Sequence, residues 1–377
     1  MQKVLTIIPI VETLGENYNF TTELYSRGSD GYVIKLGADP YLTASDLRKL
    51  INNINISTVR QIYIDESVIE PKDWGEGWQW DDDLNTFTPR FNSYNLDKNI
   101  FKFTIMPDEN NLKSIIINPQ KAPVVFINKV TTGEKNDIKI SRNNITSSNV
   151  IELEGTVKTP CTIYVPNNNL KLYFNNKLTG VLEDRKIYLK NPYKISAKNN
   201  DDKKVAEITH SINTAIDDIL QNSNNLTIET LSKLAGGKYY NKQGTDIDGI
   251  KLFNNYCENN GLDKTRVRIV DASGVSKNNL ADADFISEFL IKNKNNKILQ
   301  RMDKPGSGTL SSRMIILQNN LLAKTGTLSD ISSIAGYLTT KSGKKYAFCI
   351  MINDPSSKNS DKKNLEDYLI RDMYLKF

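Results

Sequence analysis

Three segments of this 377-residue chain carry hydroxyl, amide and amine groups in spacings that could do chemistry. Lys324-Thr325-Gly326 opens a run of strand character. Ser276-Lys277-Asn278 lies in a glycine-containing loop, Asp271-Ala-Ser-Gly-Val-Ser-Lys-Asn-Asn279, between two helical stretches. Lys3 begins an apolar run. Hydroxyls and amines of this kind move protons and hold anions, and a lysine becomes a base when burial and a nearby cation pull its pKa below the usual ~10.4. Each short motif alone is a weak signal in a chain rich in Asn. Other chemistries are poorly supplied. His210 is the single histidine, so a histidine-based metal centre or a Ser-His-Asp arrangement would rest on it alone. It sits in an apolar, helix-like pattern and reads as a core or partner-bonded residue. Cys161, Cys257 and Cys349 are widely spaced and form no CxxC pattern, which describes neither a disulfide framework nor a zinc site. No metal and no cofactor is expected.

The elements that must position these groups follow from periodicity. Val4, Leu5, Ile7, Ile8, Val11 and Leu14 predict a buried opening helix, in which Pro9 removes a hydrogen bond at a cost of ~3 kcal/mol unless it lies at a kink or near the helix start. The same stretch has one basic residue, no A-x-A pattern and an early Glu12, unlike a secretory leader. From about 20 to 198, short alternating runs separated by Asn, Gly, Asp and Pro predict strands, with one helix capped at Thr43-Ala-Ser-Asp. Residues 200–260 predict helices: Val205, Ile208, Ile212, Ile216 and Ile219 recur at helical spacing, then Ile228, Leu231 and Leu234 are closed by Gly236-Gly237. Further helices are expected at 246–257 and 282–292, strands at 321–328, 334–340 and 346–353, and a last helix from about Leu365. The order is helix, β-rich stretch, helices, antiparallel sheet, helix. It predicts an α+β domain of residues 1–18 and 200–377, split by an inserted β-rich region at 19–199 with an inner subdomain near 122–195.

Composition narrows the class. A chain of 377 residues exceeds what one core usually organises, near ~250–300 residues. No run approaches the ~18 apolar residues of a membrane span. Seventeen Tyr, 12 Phe and 3 Trp argue against global disorder. The net charge of +5 is spread along the chain without a basic block, so no nucleic-acid partner is expected.

Six blocks together resemble a known family. Asp271–Asn279 with Leu280 is similar to D-G-S-G-L-S-R-x-N-L of the penicillin-recognising serine DD-peptidases, in the class C low-molecular-mass branch of penicillin-binding proteins. Pro305-Gly-Ser-Gly-Thr-Leu-Ser-Ser-Arg313 resembles the glycine-rich loop of that family, and Ala323-Lys-Thr-Gly-Thr-Leu328 with Ile334-Ala-Gly-Tyr its third motif and next strand. Gly37-Ala-Asp-Pro-Tyr-Leu-Thr, Ile64-Asp-Glu-Ser and Gly77-Trp-Gln-Trp-Asp-Asp resemble three blocks of its insert. The resemblance implies a β-lactamase/transpeptidase-like fold with a large β-rich insertion. It implies a metal-free D-Ala-D-Ala carboxypeptidase or endopeptidase acting on peptidoglycan stem peptides through an acyl-enzyme, in the periplasm or cell envelope. It departs from the pattern at the start. The first family motif is S-x-x-K; here Met1-Gln-Lys3 supplies the lysine and the serine would fall one residue before Met1. The expectation is therefore either that translation has been assigned to an internal Met or that the chain is a truncated relic. As written it would be inactive and would escape penicillin, whereas β-lactams would acylate a complete form; the alternative is a non-catalytic module that binds stem peptides.

By the same resemblance, Lys3 deprotonates the serine, Ser276 relays a proton to the leaving amine, and Asn278 bonds the substrate amide or holds Lys3. Lys324 supplies a cation, Thr325 hydrogen-bonds the substrate carboxylate, Gly326 lets the substrate backbone lie against the strand, and the N–H of Thr327 forms half of an oxyanion hole. Asp82 with Phe87, and Arg313, would read the far end of a stem-peptide side chain, where a zwitterionic end needs a carboxylate and a cation.

Overall fold

A computed structural model of the chain describes residues 1–108, 113–142 and 149–377. Two compact units are present: residues 1–18, 75–77 and 211–377 form one, residues 19–74 and 78–210 the other.

The first unit is built around the opening helix, Lys3–Leu14, which is buried from Lys3 to Val11. A helix apolar on every side must be covered on every side. Here the cover comes from Ile212–Gln221, Asn225–Tyr240 and Asp246–Asn259. Pro9 lies inside the helix, and its carbonyl accepts the Thr13 hydroxyl at 2.7 Å. Surrounding packing offsets the lost backbone bond. Three antiparallel strands, Leu321–Thr327, Ile331–Thr339 and Lys345–Asn353, follow in that order, with Lys324 opposite Ala335 and Gly326 opposite Ser333. Alternate residues of the middle strand face opposite ways. Ile334 and Leu338 pack with Ile370 of the closing helix Asn359–Lys376, whereas the Tyr337 hydroxyl donates to Leu290 O of the helix Ala283–Lys292 at 2.7 Å. Helices thus cover both faces of the sheet.

The second unit is β-rich. A five-stranded sheet runs in the order Lys194–Ile195, Gln61–Asp65, Gly31–Lys35, Asn19–Arg27, Lys203–Ser211. The helix Ala44–Ile51 begins with a full capping box between Thr43 and Asp46. Two three-stranded sheets follow, one from Ile100–Pro107, Ser114–Ile117 and Cys161–Pro166, the other from Val125–Thr132, Val150–Val157 and Asp137–Arg142, and Thr58–Val59 pairs in parallel with Tyr188–Leu189. Of the stretch 122–195, residues 143–148 lie outside the described residues; its Val130, Ile151 and Leu153 share one hydrophobic cluster with Leu24 and Ile62.

Three local expectations fail. Residues 203–211 form a strand, not the first turns of a helix. The helical spacing from Val205 to Ile219 spans a strand-to-helix junction at Ser211, whose hydroxyl caps the helix by accepting from Asn213 N at 3.1 Å. On the strand side Ala206, Ile208 and His210 point inward while Val205 is exposed, and His210 Nδ1 lies 2.5 Å from Asp39 Oδ2. Second, a helix over Leu170–Asp184 lies within the stretch read as strands. Third, Gly236-Gly237 does not end a helix. The helix runs on to Tyr240, with Asn241 in the left-handed conformation at its end. A Cβ at Gly236 would sit 2.6 Å from backbone atoms of Asp248 and Gly249, so the glycine serves close helix-to-helix approach.

Candidate active site

Everything described in this pocket lies in the first unit. Its frame is the loop 271–279, wound around one carboxylate. Asp271 accepts hydrogen bonds from the N–H groups of Gly274, Val275 and Ser276, each at 3.0 Å, from the Ser273 hydroxyl at 2.9 Å and from Asn279 Nδ2 at 2.7 Å. Asn279 Oδ1 in turn accepts from Val270 N at 2.7 Å. These bonds leave the loop little freedom. Ser276 is held buried, with Oγ accepting from Asn278 N at 3.3 Å, while the Asn278 side chain stays exposed.

The first turn of the opening helix docks on three successive carbonyls of this loop. Gln2 Nε2 donates to Asp271 O, Thr6 Oγ1 to Ala272 O at 2.9 Å, and Lys3 Nζ to Ser273 O at 2.8 Å. Lys3 is buried and also donates to Asn225 Oδ1 at 2.5 Å. Burial, then the charge of Lys324, pull its pKa down to about 7. Glu229 lies under the loop, 3 % exposed, and accepts from Ser273 N at 2.7 Å and Ala272 N at 3.2 Å. Burial, then the charge of Asp271, push its carboxyl up to about 8.

Lys324 enters from the sheet. It is fully buried, its Nζ donates to Thr325 O at 3.2 Å, and burial lowers its pKa to about 8 against the opposing pull of Asp303. The amine of Met1 also donates to Thr325 O, at 3.2 Å, which sets the head of the opening helix against the strand carrying Lys324. Lys277 and Asp330 approach to 3.8 Å across the same opening. Thr325 is buried, Gly326 half-buried and Thr327 exposed at the strand end. Gly77, at φ +71°, runs against the loop: a Cβ there would lie 2.3 Å from Ser276 Oγ and 3.1 Å from Asn278 Nδ2. Only glycine combines that φ with that approach.

The structure therefore brings Lys3, Ser276, Asn278 and Lys324–Thr327 around one opening. Arg313 stands apart from the expected role. Its Nε donates to Asp367 at 3.0 Å and its Nη2 to Glu366 at 2.7 Å and Asp367 at 2.5 Å, so it braces the glycine-rich loop against the closing helix and faces two carboxylates instead of offering a free cation. In the other unit, Asp82 is half-buried with its carbonyl accepting the Thr88 hydroxyl at 2.7 Å, and Phe87 is exposed. Its neighbour Asp83 is the buried acid, paired with Arg142 at 2.7 Å and Arg90 at 3.3 Å. Asn225, Glu229 and Asp271 were not singled out by residue pattern. The available signal was a polar pair four residues apart on a helix whose other face is apolar.

Comparison with known proteins agrees with this architecture. The family model described as the D-Ala-D-Ala carboxypeptidase 3 (S13) family matches residues 1–371. The D-alanyl-D-alanine carboxypeptidase DacB of Haemophilus influenzae is 23 % identical, covering 98 % of this chain and 83 % of its own. A D-alanyl-D-alanine carboxypeptidase of an Actinomadura species is 22 % identical over 94 % of this chain and 72 % of its own. The crystal structure of penicillin binding protein 4 (dacB) from Haemophilus influenzae superposes with a TM-score of 0.86 at 22 % identity, covering 99 % of this chain and 90 % of that one. The same protein has been solved in complex with a β-lactam, with a TM-score of 0.82 to this chain. The fold is accordingly that of a β-lactamase/transpeptidase-like domain carrying an insertion.

Proposed function

The chain belongs to the D-Ala-D-Ala carboxypeptidase 3 (S13) family of hydrolases, and from that premise we propose that the opening around Lys3, Ser276 and Lys324 is its acyl-transfer centre, acting on peptidoglycan stem peptides in the periplasm or cell envelope. The nucleophile in this reading is the serine that S-x-x-K spacing sets three residues before Lys3; the Met1 nitrogen, its point of attachment, lies 3.2 Å from Thr325 O. Lys3 takes the hydroxyl proton as the oxygen attacks the carbonyl of the penultimate D-Ala. The tetrahedral oxyanion is held by the Thr327 N–H and by the N–H of the serine. As the C–N bond breaks, the proton held by Lys3 passes by way of Ser276 to the departing D-Ala amine, leaving Lys3 neutral and the Ser276 hydroxyl intact, and Lys324 with Thr325 holds the D-Ala carboxylate. Water then cleaves the ester, returning the serine and releasing the shortened peptide. Asn278 bonds the substrate amide.

The observation that carries this reading is the convergence of two buried lysines on the loop and the strand edge, Lys3 Nζ on Ser273 O at 2.8 Å and Lys324 Nζ on Thr325 O at 3.2 Å. Burial lowers the pKa of both, so each gives up its proton more readily than an exposed lysine.

Acylation by a fluorescent penicillin tests it. Residues 1–377 are compared with the same chain carrying one serine joined to Met1 behind a removable leader. The extended chain is expected to label on that serine, and residues 1–377 to remain unlabelled while retaining stem-peptide binding. An extended, folded chain that never labels between pH 6 and about 9, the span of the two amines, would defeat the proposal.

A further inference from the structure

Asn225 and Glu229 stand four residues apart on one face of the helix Asn225–Tyr240, and both point to the surroundings of Lys3. We propose that they form a cradle that dictates where the hydrogens and the lone pair of the Lys3 amine lie: Asn225 takes one hydrogen, and Glu229 fixes the peptide segment whose Ser273 carbonyl takes another. The inference rests on Lys3 being the proton acceptor of the reaction proposed above, and it adds two positioning residues to that reaction.

The geometry argues as follows. A neutral amine has two N–H bonds and one lone pair. Lys3 has two protein acceptors, Asn225 Oδ1 at 2.5 Å and Ser273 O at 2.8 Å. With both hydrogens so committed, the lone pair occupies the remaining tetrahedral direction. Rotation about the last carbon–nitrogen bond would break both bonds, so the lone pair is preset. A carbonyl holds an amine in place only if it is itself immobile. Glu229 supplies that by accepting the two consecutive N–H groups, of Ala272 and Ser273, that lead into the Ser273 carbonyl. Two acceptor oxygens match two donors; a glutamine in its place would offer one oxygen and turn an NH2 toward the other N–H. Burial makes each of these bonds costly to leave unmade.

The charged groups facing Lys3 come from every element packed around it. Lys324 of the strand opposes its protonation, while Asp271 of the loop and Glu229 of the helix favour it. Asp246 acts on Glu229, and Asp303 acts on Lys324. The Met1 amine lies at the same strand edge. Glu229, its carboxyl raised to about 8, carries only a partial charge where Lys3 titrates, so removing it moves the Lys3 midpoint down slightly, whereas placing a charge at Asn225 moves it up.

The experiment is a pH titration of the Lys3 Cε resonance in 13C-lysine-labelled residues 1–377, assigned by its loss in K3M, for the parent chain, E229Q and N225D. The expected result is a midpoint at least about one unit higher in N225D, the size one close charge produces, and lower by less than about half a unit in E229Q, whose parent carboxyl is largely protonated where Lys3 titrates. Opposite signs are the signature, since a scaffold role alone moves neither midpoint while lowering the thermal transition. Unmoved midpoints in folded variants overturn the cradle. So does loss of fold in both variants with Lys3 titrating at its ordinary ~10.4, because a scaffold role then suffices. The titration needs no turnover: shifted midpoints beside a serine-extended chain that never labels would sink the acyl-transfer reading and leave the cradle standing.

Discussion

Lys324 carries a full side chain into the protein interior with no carboxylate in hydrogen-bond contact among its described partners, and its Nζ rests on the Thr325 carbonyl. The cost appears in its ionisation. Folded Lys324 gives up its proton near pH 8, against 10.5 for an unburied lysine. Between these values the unfolded chain holds the extra proton, so folding becomes more favourable as pH rises through that window, by about 1.4 kcal/mol per pH unit for one group. In K324M this contribution disappears. Urea unfolding at pH 8, 9 and 10 should show a shallower rise in stability for K324M than for the parent chain; parallel curves would mean that Lys324 is not strained by burial. At the same scale, Lys3 and Ser276 were legible as residue types, but the partners of Arg313 were not. Its place after a glycine-rich loop says nothing about the two acids, Glu366 and Asp367, that arrive from the closing helix.

Helix contacts decide how firmly the site is held. The helix Asn225–Tyr240 carries Asn225 and Glu229, and it meets Asp246–Asn259 through Gly236 and Gly249. An alanine at Gly236 gains ~1 kcal/mol of helix propensity. It also places a Cβ 2.6 Å from the backbone of Asp248 and Gly249, atoms that cannot rotate away. Overpacking of this kind costs typically ~1–3 kcal/mol or more, and backbone against backbone belongs at the upper end. G236A should lower the unfolding free energy by a net ~1–2 kcal/mol, read as a lower urea midpoint with the denaturant slope unchanged; equal or greater stability would show that the helices separate cheaply. The element-level errors have a common cause. A helical spacing read across Ser211 counted strand residues as helix, and a glycine pair looked like a helix end because punctuation and close packing use the same residue.

At the scale of the molecule, the hydrophobic cluster from Leu24 to Ile187 lies wholly within the β-rich unit, and residues 75–77 are the part of that stretch grouped with the other unit. A segment with its own core is expected to fold by itself. Residues 19–210 expressed alone should give one cooperative thermal transition and a β-rich circular dichroism spectrum; an expanded, dye-binding species without a transition would show that the core depends on the rest of the chain. Among the described residues no helix is long and apolar enough to cross a membrane.

From sequence alone, six ordered blocks, alternating strands and a helix apolar on all sides determined the family resemblance, the α+β class and the three segments of the pocket. Those are local patterns, set by which residues lie next to one another. The tertiary structure decided which polar groups meet. Spacing places Asn225 and Glu229 on one helical face, but whether that face looks onto water, onto an apolar core or onto the amine of Lys3 depends on packing between residues more than two hundred positions apart. The same packing sets the ionisation of Lys3 and Lys324, because burial and the distance between two like charges belong to the assembled interior and to no segment of the chain.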